Sequence, residues 1–131
     1  MEFLDLLMLG FGEAMTPANL GFCLIGALLG TLIGALPGAG ADIAAWISYA
    51  VSKRFSKTPE RFGKGHVEGL VEAGSSNNAA VSGAWIPALV FGIPGDSITA
   101  IVIGVLYIKG MNPGPTVFLE QPQLIYALFI R

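Results

Sequence analysis

Two short stretches carry the residues best suited to holding a small charged solute. One is Pro37-Gly38-Ala39-Gly40 with Asp42; the other is Pro94-Gly95 with Asp96, Ser97 and Thr99. A helix that restarts after a Pro-Gly break begins with unpartnered N–H groups and a partial positive charge. Such an end attracts carboxylates, and the unpaired carbonyls before it can coordinate a small cation. Asn77 and Asn78 bring both donors and acceptors. They follow Ser75 and Ser76, where a helix start is expected, so solute binding and helix capping are equally open for them. Ser97 and Thr99 can donate to a solute or bond their own helix. Gly38, Gly40, Ser76, Asn77, Asn78, Pro94, Gly95, Ser97 and Thr99 are therefore the candidate solute-binding residues. Asp42 and Asp96 fall in the first turn of an expected half-helix, where an acid suits the dipole. An ionised Asp96 would repel an anion, so capping or cation binding is the expected role of both acids. No nucleophile, base and orienting group occur together, and the single histidine, His66, sits in a polar stretch. The chemistry on offer is binding rather than catalysis.

The elements that must position these residues are apolar. Charged residues are 12% of the 131-residue chain, against about 25% in soluble domains; mean hydropathy is +0.69. No Asp, Glu, Lys, Arg or His occurs from Ala14 to Ala41, or from Ala73 to Gly95. Each window exceeds the roughly 20 residues that cross a bilayer. An all-α, polytopic membrane domain over residues 1–131 is expected, with helices broken at Pro-Gly. Irregular backbone at membrane depth is tolerated only where it is buried in protein or lines a cavity. The net charge of −2 gives no case for nucleic-acid binding. The lone Cys23 has no metal-ligand spacing around it and reads as a small buried hydrophobe. Met1 to Thr16 holds Glu2, Asp5 and Glu13 but no basic residue, so no cleavable signal peptide is expected.

Along the chain, Met1–Met15 reads as a short interfacial helix. Thr16-Pro17 reads as an N-cap with proline at the first helical position. The helix expected over Pro17–Leu36 carries Gly26, Gly30 and Gly34, and Gly38 continues the spacing. Small residues every four positions let another helix backbone approach. Ala41–Val51 is too short to span and reads as a half-helix. Lys53, Arg54, Lys57, Arg61 and Lys64 put five of the seven basic residues within twelve positions, which assigns the 53–64 loop to the cytoplasm. Thr58-Pro59-Glu60 reads as a turn or helix start. His66 and Glu68 read as part of a solvated loop. Ser76, Ala80, Ala84 and Ala88 form a second small-residue stripe, on a helix that Pro87 should bend. Asn112-Pro113-Gly114-Pro115 is a loop signal, and Gln121–Ile130 starts another apolar helix.

Gly34-Ala35-Leu36-Pro37-Gly38 with Asp42 echoes Gly92-Ile93-Pro94-Gly95 with Asp96. Paired interrupted segments of this kind point to a solute-transport site. The segments GALPGAGADIAAWISYAVSKRFSKTPERFGKG and SSNNAAVSGAWIPALVFGIPGDSITAIVIGVLYIKGMNPGPTVF resemble the second conserved half of the large membrane subunit of tripartite tricarboxylate transporters, the TctA type. The resemblance runs from Gly34 to Arg131. It implies ion-coupled uptake of citrate-like carboxylates across a bacterial inner membrane, with Na+ or H+ as coupling ion and no other cofactor. It implies two partners, a small membrane subunit and a periplasmic solute-binding protein. By motif, Asn77-Asn78 and the two Pro-Gly turns correspond to the family's solute and ion region.

Family members are several-fold longer and contain two related halves. Residues 1–36 resemble the start of the first half and residues 34–131 the second, joined at the shared Leu-Pro-Gly. An internal deletion, a recombination between repeats or a gene-model artefact is the expected origin of this join. Gly74 and Asp96 stand where many members would carry Glu and a small residue. The alternative function is a transport-incompetent membrane fragment or scaffold.

Overall fold

The computed structural model describes residues 3–130 and is all-α. Helix α1 spans Phe3–Ala14 and none of its residues is buried. Met1 and Glu2, at the start of the expected interfacial helix, lie outside the described residues. Helix α2 spans Pro17–Gly34. Thr16 caps it as expected, its Oγ1 accepting from the Asn19 N–H at 3.4 Å. The Asn19 amide also donates to the Glu13 carbonyl at 2.8 Å and ties α1 to α2.

Helix α3 spans Gly40–Phe55. It is longer than the half-helix expected over Ala41–Val51, because Ser52, Lys53 and Arg54 continue it and two cations suit a helix C-terminus. A 3₁₀ turn at Pro59–Arg61 follows. Helix α4 then runs from Val67 to Phe91, 25 residues. It begins two turns before the expected start at Ser75, since Glu68 sits favourably in its first turn and Glu72 has a place inside the packing. Asn77 and Asn78 are therefore mid-helix residues and not caps. Gly92 ends α4 in the left-handed region at φ 67°, its N–H bonded to the Pro87 carbonyl.

Helix α5 spans Ser97–Ile108, a four-residue α6 spans Val117–Glu120 and α7 spans Pro122–Ile130. Leu89, Leu106, Met111, Val117 and Ile125 close into an apolar cluster that holds these last elements against the end of α4. Arg131 lies outside the described residues.

Helix α4 is the spine, packed against both α2 and α3. Its contact with α2 is backbone on backbone. A Cβ on Gly26 would strike the Glu72 carbonyl, one on Gly30 would strike Ser76, and one on Gly34 would strike Ala80. Four residues along α2 match four along α4, so the two helices run parallel and in register. Gly83 answers from α4, where a Cβ would strike the Thr31 carbonyl. Both expected stripes are thus packing surfaces, except that Gly38 leaves the stripe and turns at φ 83°. Ser76, Ala80, Ala84 and Ala88 are at most 1% exposed. Helix α3 runs antiparallel to α4, and the Ser76 hydroxyl donates to the Ala44 carbonyl at 3.1 Å.

Large side chains lie on the outside. Leu24, Leu28 and Leu32 on α2 are each about two-thirds exposed. Small residues inside and leucine outside is the packing pattern of helices in lipid. Helix α2 is the one described helix long and apolar enough to cross a bilayer. Helix α4 is longer but carries Ser75, Ser76, Asn77 and Asn78 within its charge-free stretch.

Replacing Gly30 by leucine should separate α2 from α4. The expected loss is at least the ~1–3 kcal/mol of an overpacked core. Gly21→Leu, where a Cβ meets open space, should cost far less. Denaturation of both variants in mixed detergent micelles checks the difference.

Candidate functional site

The two Pro-Gly breaks meet. The Gly38 N–H donates to the Gly95 carbonyl at 2.8 Å, joining the break of one helix–break–helix unit to the break of the other. Both units arrive there because α2 and α4 run side by side in the same direction. Gly38 and Gly40 hold φ values of 83° and 68°, which L side chains adopt only at a cost. Gly95 is required for a different reason: a Cβ there would lie 2.7 Å from the Cβ of Ala84.

Beside this junction is a cavity of about 480 Å³. Gly38, Gly40 and Asp42 line it from the first break, Asp96 and Ser97 from the second, and Asn77 from the middle of α4. Six of the eleven sequence-predicted residues thus come together around one space. The other five sit nearby in different settings. Ser76 is fully buried and bonded to α3. Asn78 is exposed, its amide donating to the Gly74 carbonyl at 3.0 Å. Pro94 and Gly95 form the backbone of the second break, with Gly95 buried against α4. Thr99 is 1% exposed and bonds within α5.

The two helix starts at the cavity differ. Asp96 caps α5 in a reciprocal box. Its Oδ1 accepts from the Thr99 N–H at 2.8 Å, and Thr99 Oγ1 accepts from the Asp96 N–H at 2.9 Å. Thr99 Oγ1 also lies 2.7 Å from Asp96 Oδ1. This fits the capping role expected of Asp96. The start of α3 has Ala39 at the cap position and no side-chain cap bond. Its first N–H groups are therefore the ones left for another acceptor. Asp42, exposed in the first turn of α3, and the half-buried Asn77 amide flank that end. An uncapped helix start, a neutral amide and two acids can together hold a carboxylate or a small cation.

His66 and Glu68 depart from the solvated loop expected of them. Their side chains are only 17% and 15% exposed, with His66 Nε2 at 3.2 Å from Glu68 Oε2. Ser56 donates to the same Glu68 oxygen at 2.7 Å, and Thr58 Oγ1 lies 3.0 Å from His66 Nε2. Phe62 meets both the His66 and Tyr49 rings edge-on. The reason is that α4 starts at Val67 and draws both side chains against the end of α3.

One acidic residue lies in the interior where composition predicts none. Glu72 is 3% exposed, yet it directly precedes a charge-free window and looks from sequence like the edge of the loop. Its four-residue spacing from Glu68 and Ser76 was the available signal that it continues the buried face of α4.

Paired interrupted helices converging on a cavity are an architecture of solute transporters. The chain belongs to the tripartite tricarboxylate transporter TctA family, whose family model matches residues 8–131. Two Agrobacterium vitis proteins are each 41% identical to it over 89 residues, 68% of this chain. They are described as "Uncharacterized protein in TAR-II ttuC' 3'region" and "Uncharacterized 52.8 kDa protein in TAR-I ttuC' 3'region". The match spans 37% of the first and 18% of the second, so this chain corresponds to well under two thirds of either. No solved structure matches the chain.

The double use of Asp96 as cap and cavity wall gives a test. Asp96→Ala should cost about 1 kcal/mol of stability through the lost cap, and Asp96→Asn much less, since both acid and amide cap well. Helix content and unfolding in micelles measure the pair. Equal losses in both variants would assign the residue's importance to its charge instead.

Proposed function

We propose that this chain forms part of the membrane subunit of a secondary active, ion-coupled transporter for tricarboxylates or related carboxylates. The observation that carries this reading is the junction of the two breaks, where the Gly38–Gly95 backbone bond sets an uncapped helix start beside a cavity. In this reading the solute carboxylate accepts from the first N–H groups of α3 and from the Asn77 amide. Gly38 and Gly40 keep side chains away from that approach. Asp42 and Asp96 offset the positive helix ends and attract a coupling cation, Na+ or H+. The subunit lies in the bacterial inner membrane as a multi-pass protein, with the basic 53–64 loop in the cytoplasm. Family membership supports a small membrane subunit and a periplasmic solute-binding protein as partners.

The test is uptake of labelled citrate and related carboxylates by vesicles holding this chain, with and without the two partner proteins. Sodium and proton gradients are applied separately. Asn77→Ala should raise the half-saturation concentration about 10-fold or more, the equivalent of one hydrogen bond to a charged group at about 1.5–3 kcal/mol. Asn78→Ala, on the outward face, should leave it near wild type. No uptake under any combination of gradient and partner would leave the chain as a transport-incompetent fragment or scaffold.

A further inference from the structure

A polar seam runs along the α3–α4 packing, away from the cavity. Ser48, Ser52 and Ser56 recur every four residues on α3; Glu68, Glu72 and Ser76 recur every four on α4. Because the helices are antiparallel, the rows face each other rung by rung. Ser56 Oγ donates to Glu68 Oε2 at 2.7 Å, Ser48 Oγ to the Glu72 carbonyl at 3.4 Å, and Ser76 Oγ to the Ala44 carbonyl at 3.1 Å.

The middle rung is incomplete. Glu72 is 3% exposed and Ser52 4% exposed. Glu72 stands on the face of α4 that meets α3, where Ser48 Oγ donates to its carbonyl and Ser52 lies one turn along. Even so, Glu72 Oε1 and Ser52 Oγ are both buried without a hydrogen-bond partner among the described residues. The backbone at Glu72 is fixed in the α2–α4 contact, since its carbonyl packs on Gly26.

Among the described residues no opposite charge is paired with it. Glu68 lies one turn away on α4, already held by Ser56 and His66. On α3, Lys53 and Arg54 are exposed, Tyr49 packs on Phe62, and Asp42 is at the far end. On α2 the one titratable side chain is Cys23, a turn before Gly26. A buried acid with no counter-charge in a membrane chain marks an ion or proton pathway.

We infer that Glu72 is a proton-binding carboxyl, with Ser52 as its hydrogen-bond partner and Ser56, Glu68 and His66 as its connection to the loop side. Proton uptake converts the carboxylate to a neutral acid whose new O–H donates to Ser52 Oγ. Release returns the anion, which then accepts from the Ser52 hydroxyl. Either state completes the middle rung once the Glu72 carboxyl turns to meet the Ser52 hydroxyl, since neither atom has a partner as the side chains now stand. A metal cation fits less well, because it requires a shell of several oxygens and the seam at Glu72 offers one carboxyl and the hydroxyls of Ser48 and Ser52. The inference rests on the proposed transport function for its physiological meaning; proton binding at Glu72 is measurable without it.

The experiment is infrared spectroscopy of the chain in lipid vesicles through a pH titration. A carboxylic-acid C=O band that comes and goes with pH should be present in wild type and missing in Glu72→Gln. In Ser52→Ala the same band should persist at a shifted frequency, since its hydrogen-bond partner is gone. This second variant keeps the test decisive if Glu72→Gln does not fold. Identical titrating bands in wild type and Glu72→Gln, or an unshifted band in Ser52→Ala, would overturn the assignment. A band that responds to sodium and not to pH would replace the proton with a metal cation and overturn it equally. The band with its expected variant behaviour, alongside failed carboxylate uptake, would sustain the proton site and reject the transport reading instead.

Discussion

Everything in this chain hangs on how closely α2 and α4 approach. Gly26, Gly30 and Gly34 let the backbone of α2 rest on Glu72, Ser76 and Ala80 with no side chain between. In lipid there is no hydrophobic gain from pressing two apolar helices together, so close packing and polar contacts must supply the association. The shared four-residue spacing also selects a register. A slip of one residue would put Ile25, Leu29 and Ile33, or Ala27, Thr31 and Ala35, against the α4 backbone in place of glycine. That register is what brings Gly38 within hydrogen-bond reach of Gly95, and so what makes one cavity from two separate breaks.

The breaks themselves are not symmetric, although their sequences echo each other. The second is self-sufficient: Asp96 and Thr99 satisfy each other's backbone, and Gly95 is pinned on Ala84. The first has no side-chain cap and two glycines in the left-handed region. One break is therefore a finished structural turn. The other has no side chain at its cap to satisfy the start of α3. The difference follows directly from aspartate standing at the cap of α5 where alanine stands at that of α3.

Much of this was legible in the residues. The glycine stripe, the Thr16 cap, the two breaks and six of the cavity residues follow from spacing and from what a helix end needs. The length of α3 and the start of α4 did not, because both were judged by charge. Lys53 and Arg54 read as loop, yet a helix C-terminus welcomes cations. Glu68 and Glu72 read as the border of an apolar window, yet one is bonded by Ser56 and the other buried against α2 and α3. The misplaced start carried Asn77 and Asn78 from mid-helix to a supposed cap. Their consecutive positions then hid their different fates, since neighbours on a helix point about 100° apart. Asn77 reaches the cavity and Asn78 the outside.

The 18 residues of α2 rise about 27 Å at 1.5 Å each, slightly less than a typical hydrocarbon core of about 30 Å. A helix that is already short has no slack to lean, because tilting shortens its reach across the bilayer further. With α4 packed beside it, the pair meets such a mismatch together, by thinning the lipid around itself. Hydrophobic mismatch thereby becomes a physical constraint on this protein. A thicker bilayer would strain the exposed Leu24–Leu28–Leu32 face, and bilayer thickness would govern how freely the α2–α4 pair can rock.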